Sequence, residues 1–232
     1  MHILLTRPLE DSAEMIFKFK SLGHQVSHLP LLTIDKVKYN DLNFLDSKAI
    51  IFTSANAVKF LNARTIDKNL QCFCVGNATE KKARSVGFQN IITAGGNVQN
   101  LKELILQNFH QKDGKIIYVC GEIISLDLDQ QLSKEGYNIK KIINYRTIDN
   151  ENFNENFIKE LKLSIPDIVY VYSQNSALSF LKFTKINQMD RLWLDTNLMC
   201  IGEKTSSILN EIKWKKIFLF NPGEEEFLLY KI

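Results

Sequence analysis

Short apolar, β-branched runs recur along the chain, with stretches of helical spacing between them. The runs predict strands at Ile3–Thr6, Val26–Leu32, Ala49–Thr53, Gln71–Val75, Asn90–Thr93, Lys115–Cys120, Asn138–Tyr145, Asp167–Tyr172, Asn197–Ile201 and Lys216–Phe220. Most are continuous apolar runs rather than strict alternations, the pattern of strands buried on both faces of a parallel sheet. Between them, Leu9–Leu22 sets Leu9, Met15, Ile16, Phe19 and Leu22 on one helical side. Leu101, Leu104, Ile105 and Phe109 do the same, as do Phe153, Phe157, Ile158 and Leu161. Gly23, Gly87 and Gly136 each close a helical stretch before a new strand, where a left-handed residue is wanted. Repeated strand–helix order predicts doubly wound α/β layers.

The chain also echoes itself. IIFTSANA at 50–57 resembles VYVYSQNS at 169–176, and CVGNAT at 74–79 resembles CIGEKT at 200–205. Two echoes in the same order predict two similar α/β units. The second unit has only three clear strands, whereas the first 36 residues supply two more. The expected division is a discontinuous domain of residues 1–36 and 147–232, with an inserted domain of residues 37–146. The polar stretches Lys36–Asn40 and Asn144–Asn150 are the expected crossings between them.

Composition narrows the function without choosing it. Charged residues make up 24% and the net charge is +3, too small for an expected nucleic-acid partner. No uncharged apolar run approaches the roughly 18 residues that span a bilayer. The start, MHILLTRPLEDS, lacks the long apolar run of a signal peptide, so a cytoplasmic location is expected. Cys72, Cys74, Cys120 and Cys200 lie in apolar segments and are expected to be buried thiols. His2, His24, His28 and His110 are scattered, without metal-ligand spacing, and are expected at the surface or its boundary. There is no P-loop, no G-x-G-x-x-G and no G-x-S-x-G elbow. No cofactor and no metal are expected.

In open α/β sheets, ligands sit beyond the carboxyl ends of the strands, where N–H groups of the next helix favour anions. Here those ends read Thr6-Arg7, Thr53-Ser54-Ala55-Asn56, Gly76-Asn77-Ala78-Thr79, Gly121-Glu122, Ser173-Gln174-Asn175-Ser176 and Gly202-Glu203-Lys204-Thr205. Small hydroxyl and amide residues also serve as plain helix caps. Several such loops on two domains nonetheless point to an anionic ligand held between them.

These pieces together resemble the uroporphyrinogen-III synthase family. The match runs through LLTRP, IIFTSANAV, CVGNAT, AGGNVQNLKELI, YVCGE, INYRT, VYVYSQNSAL and CIGEKTSSIL, in the family's order over nearly the whole chain. The resemblance implies two α/β domains joined by a two-stranded linker, with the active cleft between them. It implies a cofactor-free lyase of tetrapyrrole biosynthesis, leading to heme and siroheme. Its substrate is hydroxymethylbilane, a linear tetrapyrrole with eight carboxylates. The enzyme removes the terminal hydroxyl as water, inverts the last pyrrole ring and closes the macrocycle. Tyr145 of INYRT matches the linker tyrosine, the expected catalytic side chain. Thr53, Ser54, Asn56, Thr79, Ser173, Asn175 and Thr205 match carboxylate-holding positions, and Arg7 offers a charged partner. A monomer is expected.

The sequence departs from the family at Glu203 and Lys204, where hydroxyl residues or proline are common, and at Glu122, where basic residues often follow. The chain end from Asn221-Pro222-Gly223 is shortened. Two other readings stay open: a non-catalytic two-domain binder of a small anion, and a nucleotide-sugar transferase. The second lacks a D-x-D at a strand end, because Asp127-Leu128-Asp129 reads as a helix face.

Overall fold

A computed structural model describes residues 1–221 and 224–225; Pro222 and Gly223, where the sequence is expected to depart from the family, lie outside the described residues. The strands are β1 His2–Leu5, β2 Gln25–His28, β3 Leu32–Lys36, β4 Ser47–Phe52, β5 Gln71–Val75, β6 Ile91–Ala94, β7 Lys115–Gly121, β8 Ile139–Asp149, β9 Ile168–Val171, β10 Asn197–Ile201 and β11 Lys216–Phe220. The helices are α1 Leu9–Ser21, α2 Ala55–Lys59, α3 Asn77–Ser85, α4 Val98–Asn108, α5 Leu128–Lys134, α6 Glu155–Leu163, α7 Gln174–Ile186 and α8 Glu203–Leu209. No helix among the described residues is long and apolar enough to cross a membrane.

The α/β class holds, with two sheets. One has five strands in the order β11-β10-β9-β1-β2, every pair parallel. The other has six in the order β3-β8-β7-β4-β5-β6, parallel from β8 to β6. The chain separates into two compact units, Met1–Thr33 with Ile148–Ile232, and Ile34–Thr147. β3 and β8 run through both boundaries and form the two-stranded linker. Val37 N–H donates to the Asn144 carbonyl at one end of the pair, and Asn150 N–H donates to the Leu31 carbonyl at the other. Numbers rise on one strand as they fall on the other, so the ribbon is antiparallel.

The single strand expected over Val26–Leu32 is two strands in different sheets. Pro30 has no N–H to give a ladder, so β2 ends at His28 and β3 starts at Leu32. The polar stretch 144–150, expected as a crossing and, from the resemblance, as part of a two-stranded linker, is mostly strand, because its backbone bonds to β3. On α1 the buried residues are Ser12 and Phe19, with Met15 and Ile16 packed partly against the core. Leu9 (61% exposed) and Leu22 (50%) sit at the ends of the helix and do not join that face. His2 is also a correction: it is buried rather than superficial. Its N–H donates to Asp167 Oδ2 (2.7 Å), and its ring bonds Ser27 Oγ (2.8 Å). Burial lowers the His2 pKa, with Asp167 opposing.

Both faces of each sheet are covered, which explains the continuous apolar runs. Ile50 and Phe52 pack on one face of β4 with Val58 and Phe88, while Ala49 and Ile51 pack on the other with Leu101 and Ile105. In the five-stranded unit, Leu4 and Val169 join Phe180 and Trp193 on one face; Ile3 and Tyr170 join Phe19 on the other. Each such large apolar side chain contributes roughly 1.5–3 kcal/mol. Cys72, Cys74, Cys120 and Cys200 are buried free thiols.

Candidate active site at the strand ends

Strand order locates the ligand positions. In the six-stranded sheet the chain winds outward from β4 to β5 and β6, then returns to β7 and β8 on the other side. The switch point lies between β4 and β7, and in open α/β sheets ligands bind beyond the carboxyl ends of the strands at such a point. Thr53 and Ser54 follow β4, and Gly121 ends β7.

Tyr145 meets them there. The Ser54 side chain lies near enough to its phenol to favour the ionised form. The Tyr145 ring stacks with Phe60 at a centroid distance of 6.5 Å. It also lies against Gly121, where an added Cβ would come within 2.6 Å of Tyr145 Cζ. Ser54 caps α2, its Oγ accepting the Asn56 N–H at 3.2 Å. Beside it, Thr53 Oγ1 and the Tyr118 hydroxyl are hydrogen-bonded at 3.2 Å. Burial raises the pKa of Tyr145, while the Ser54 side chain works the other way by favouring the phenolate. The result is a neutral phenol, half-buried, with a serine beside it.

A bulge turns Tyr145 toward this group. Cys120 pairs with Ile143, but Gly121 pairs with Tyr145, so Asn144 is an extra residue on β8. Ile139 and Ile143 pack on one face of the sheet, whereas Ile142 and Tyr145 pack on the other. Strict alternation from Ile143 would have put Asn144, not Tyr145, opposite Gly121.

The five-stranded sheet has its own switch point, between β1 and β9. Arg7 follows β1 and Tyr172 follows β9. The Arg7 guanidinium stands 4.6 Å from the centroid of the Tyr172 ring. Thr6 Oγ1 donates to the Tyr170 carbonyl at 2.6 Å, tying the two strand ends together. Burial raises the Tyr172 phenol, helped by Glu225 and opposed by Arg7. Ser173 caps α7: Ser176 N–H donates to its Oγ at 3.1 Å, and the two hydroxyls are 2.7 Å apart. Asn175 is partly exposed on the first turn.

The second echo has a backbone cause. Gly76 caps α3 at φ 76°, ψ 154°, and Gly202 caps α8 at φ 73°, ψ 162°. That region is open almost only to glycine. Thr79 and Thr205 follow three residues later and are both 4% exposed, so their side chains pack inward rather than opening to solvent. Glu203 and Lys204 are exposed.

The structure therefore brings Tyr145, Thr53, Ser54 and Asn56 to one switch point, and Arg7, Ser173 and Asn175 to the carboxyl ends of the other sheet. It holds Thr79 and Thr205 inside. Sequence reasoning passed over Tyr118, Tyr172, Phe60, Gly121 and Asn144. Gly121 in particular was set aside with its loop because of Glu122, yet Glu122 is exposed, and its N–H donates to the Tyr145 carbonyl. The only signal in the sequence was position: each lies within two residues of a predicted strand end or on the helix that follows one.

Comparison with known proteins gives one family. The family model described as uroporphyrinogen-III synthase HemD matches residues 13–220. Among solved structures, the uroporphyrinogen-III synthetase of Helicobacter pylori 26695 is similar with a TM-score of 0.64 at 18% identity, over 100% of this chain and 99% of that one. A selenomethionine mutant of the uroporphyrinogen III synthase of Thermus thermophilus gives 0.58 at 14% identity, over 100% and 97%. At such identities the structures speak for the fold. No curated protein sequence matches the chain.

Proposed function

The chain belongs to the uroporphyrinogen-III synthase family, and from that membership we propose that Tyr145 is the acid that lets the terminal hydroxyl of hydroxymethylbilane depart. The pyrrole nitrogen pushes electrons toward the hydroxymethyl carbon as its C–O bond breaks. The hydroxyl leaves as water after taking the phenol proton. Ser54 then donates to the phenolate, and its own oxygen keeps the Asn56 N–H. The cation formed closes on the last ring, which inverts. The proton released on closure restores the phenol.

The observation that carries this reading is the setting of Tyr145: a half-buried phenol at a switch point, packed against Gly121 and Phe60 beside the helix that Ser54 caps. Thr53, Ser54, Asn56, Ser173 and Asn175, with Arg7 as the cation, anchor substrate carboxylates through hydroxyls, amides and charge. Thr79 and Thr205 serve by shaping the turns behind Gly76 and Gly202. Loss of the hydroxyl is already assisted by the pyrrole, so holding the ring ends close contributes much of the rate. The chemistry as written calls on no metal or cofactor, and the working unit is a single chain. The buried free thiols fit a reducing compartment, the cytoplasm.

The test is the isomer ratio formed from fresh hydroxymethylbilane, measured with and without a chelator. Predominant type III product, unaffected by chelation, is expected. Binding without turnover, or type I product alone, would overturn the reading in favour of a non-catalytic binder. Sedimentation at working concentration checks the single-chain state.

A further inference from the structure

Asn144 is fully buried on a strand whose other buried residue is Ile142, and only half of its amide is used. Its Nδ2 donates to the Ala57 carbonyl at 2.7 Å. Its Oδ1 is buried without a hydrogen-bond partner. Ala57 belongs to α2, the helix that Ser54 caps and whose C-cap, Phe60, stacks on the Tyr145 ring at 6.5 Å. Asn144 is also the extra residue of the bulge that pairs Tyr145 with Gly121. One side chain thus joins the strand that carries the phenol to the helix whose end the phenol ring packs on. An apolar residue of the same shape would fill the space without leaving an acceptor unpaired, so packing alone does not call for asparagine here.

We propose that Asn144 is a positioning residue: its amide bond to Ala57, made from within the bulge, sets where the Tyr145 phenol sits against α2 and the carboxyl end of β4. The inference rests on the reading of Tyr145 as the acid. It adds a residue that never touches substrate. Gly121 completes the arrangement from the other side, since any side chain there would occupy the space of the phenol ring.

Two variants remove the donor while keeping the shape: Asn144→Leu and Asn144→Asp. A small misplacement of a reacting group can cost up to about a hundredfold, so kcat is expected to fall about tenfold or more in both. KM is expected to stay within about twofold, because the carboxylate anchors are untouched. Ring-labelled tyrosine NMR supplies the second readout: the Tyr145 Cζ resonance should move in both variants, and those of Tyr39 and Tyr137 should not. An unchanged kcat, or an unmoved Tyr145 resonance, overturns the proposal. So does loss of folding in both variants, which would make Asn144 a core residue and nothing more. If Asn144→Leu alone fails to fold, Asn144→Asp decides. If the unsubstituted chain makes no type III product, the reading of Tyr145 falls, and the resonance still decides whether Asn144 places the ring.

Discussion

At the scale of the residue, the phenol and its neighbours set the chemistry. Tyr145→Phe removes the hydroxyl and keeps the ring that packs on Phe60 and Gly121. General acid help is worth about 10²–10⁴ in rate, so turnover should fall at least roughly tenfold with little change in Tm. Near-normal turnover in Tyr145→Phe, beside a slow Tyr145→Ala, would show that the ring packs and the phenol transfers no proton. Gly121→Ala should displace the same ring from the opposite side, costing about 1–3 kcal/mol of stability and much of the activity. The tyrosines also predict a response to alkali. Tyr39, Tyr118, Tyr137, Tyr145, Tyr170 and Tyr172 all have pKa values raised above the ordinary one, burial being the leading cause in each. Unfolding frees these phenols to ionise near the usual value of about 10. The folded chain binds the proton longer, so stability is unaffected below that pH and falls as pH rises through it. Denaturant unfolding between about pH 8 and 11.5, alongside tyrosinate absorbance, checks this. Free titration of most tyrosines near the ordinary phenol pKa in the folded chain would contradict it.

At the scale of the element, the two echoes have different physical grounds. Ser54 and Ser173 are extended caps whose oxygens accept helix N–H groups. Replacing either with alanine should cost about 0.5–2 kcal/mol. Ser54→Ala should also slow turnover more than Ser173→Ala, because Ser54 caps the helix beside the phenol. Gly76 and Gly202 are caps of backbone geometry. Space for a Cβ is open at both, so their alanine variants isolate conformational strain, about 1–3 kcal/mol each. Urea midpoints for the four variants separate these effects. Equal, negligible shifts at both glycines would show that the caps relax.

At the scale of the whole molecule, the unit of residues 1–33 and 148–232 is closed by strands from both ends of the chain: β1 lies between β2 and β9. We expect residues 34–147, continuous in sequence and with their own core, to fold as an isolated fragment, and residues 148–232 alone to fail. Both tryptophans, Trp193 and Trp214, belong to the discontinuous unit. Tryptophan fluorescence therefore follows that unit, while far-UV circular dichroism follows the entire chain. Separate unfolding would split the two curves, and coincidence would indicate one cooperative transition.

The amino-acid sequence by itself determined the alternation of strand and helix, because burial on both sheet faces writes continuous apolar runs and exposed helix faces write a period near 3.6. It determined the glycine stops, the serine caps and the paired echoes, which are local backbone requirements. It also carried the family, in motifs spread along its length. Only the tertiary structure decided that Val26–Leu32 divides between two sheets and that Leu9 and Leu22 face water. It alone decided strand order, and with it the switch points where Tyr145 meets Ser54 and Arg7 meets Tyr172. The reason is the same in each case. Sheet partners are chosen by contacts far apart in sequence, and a one-residue bulge at Asn144 changes the face of a side chain without leaving any mark in the local pattern.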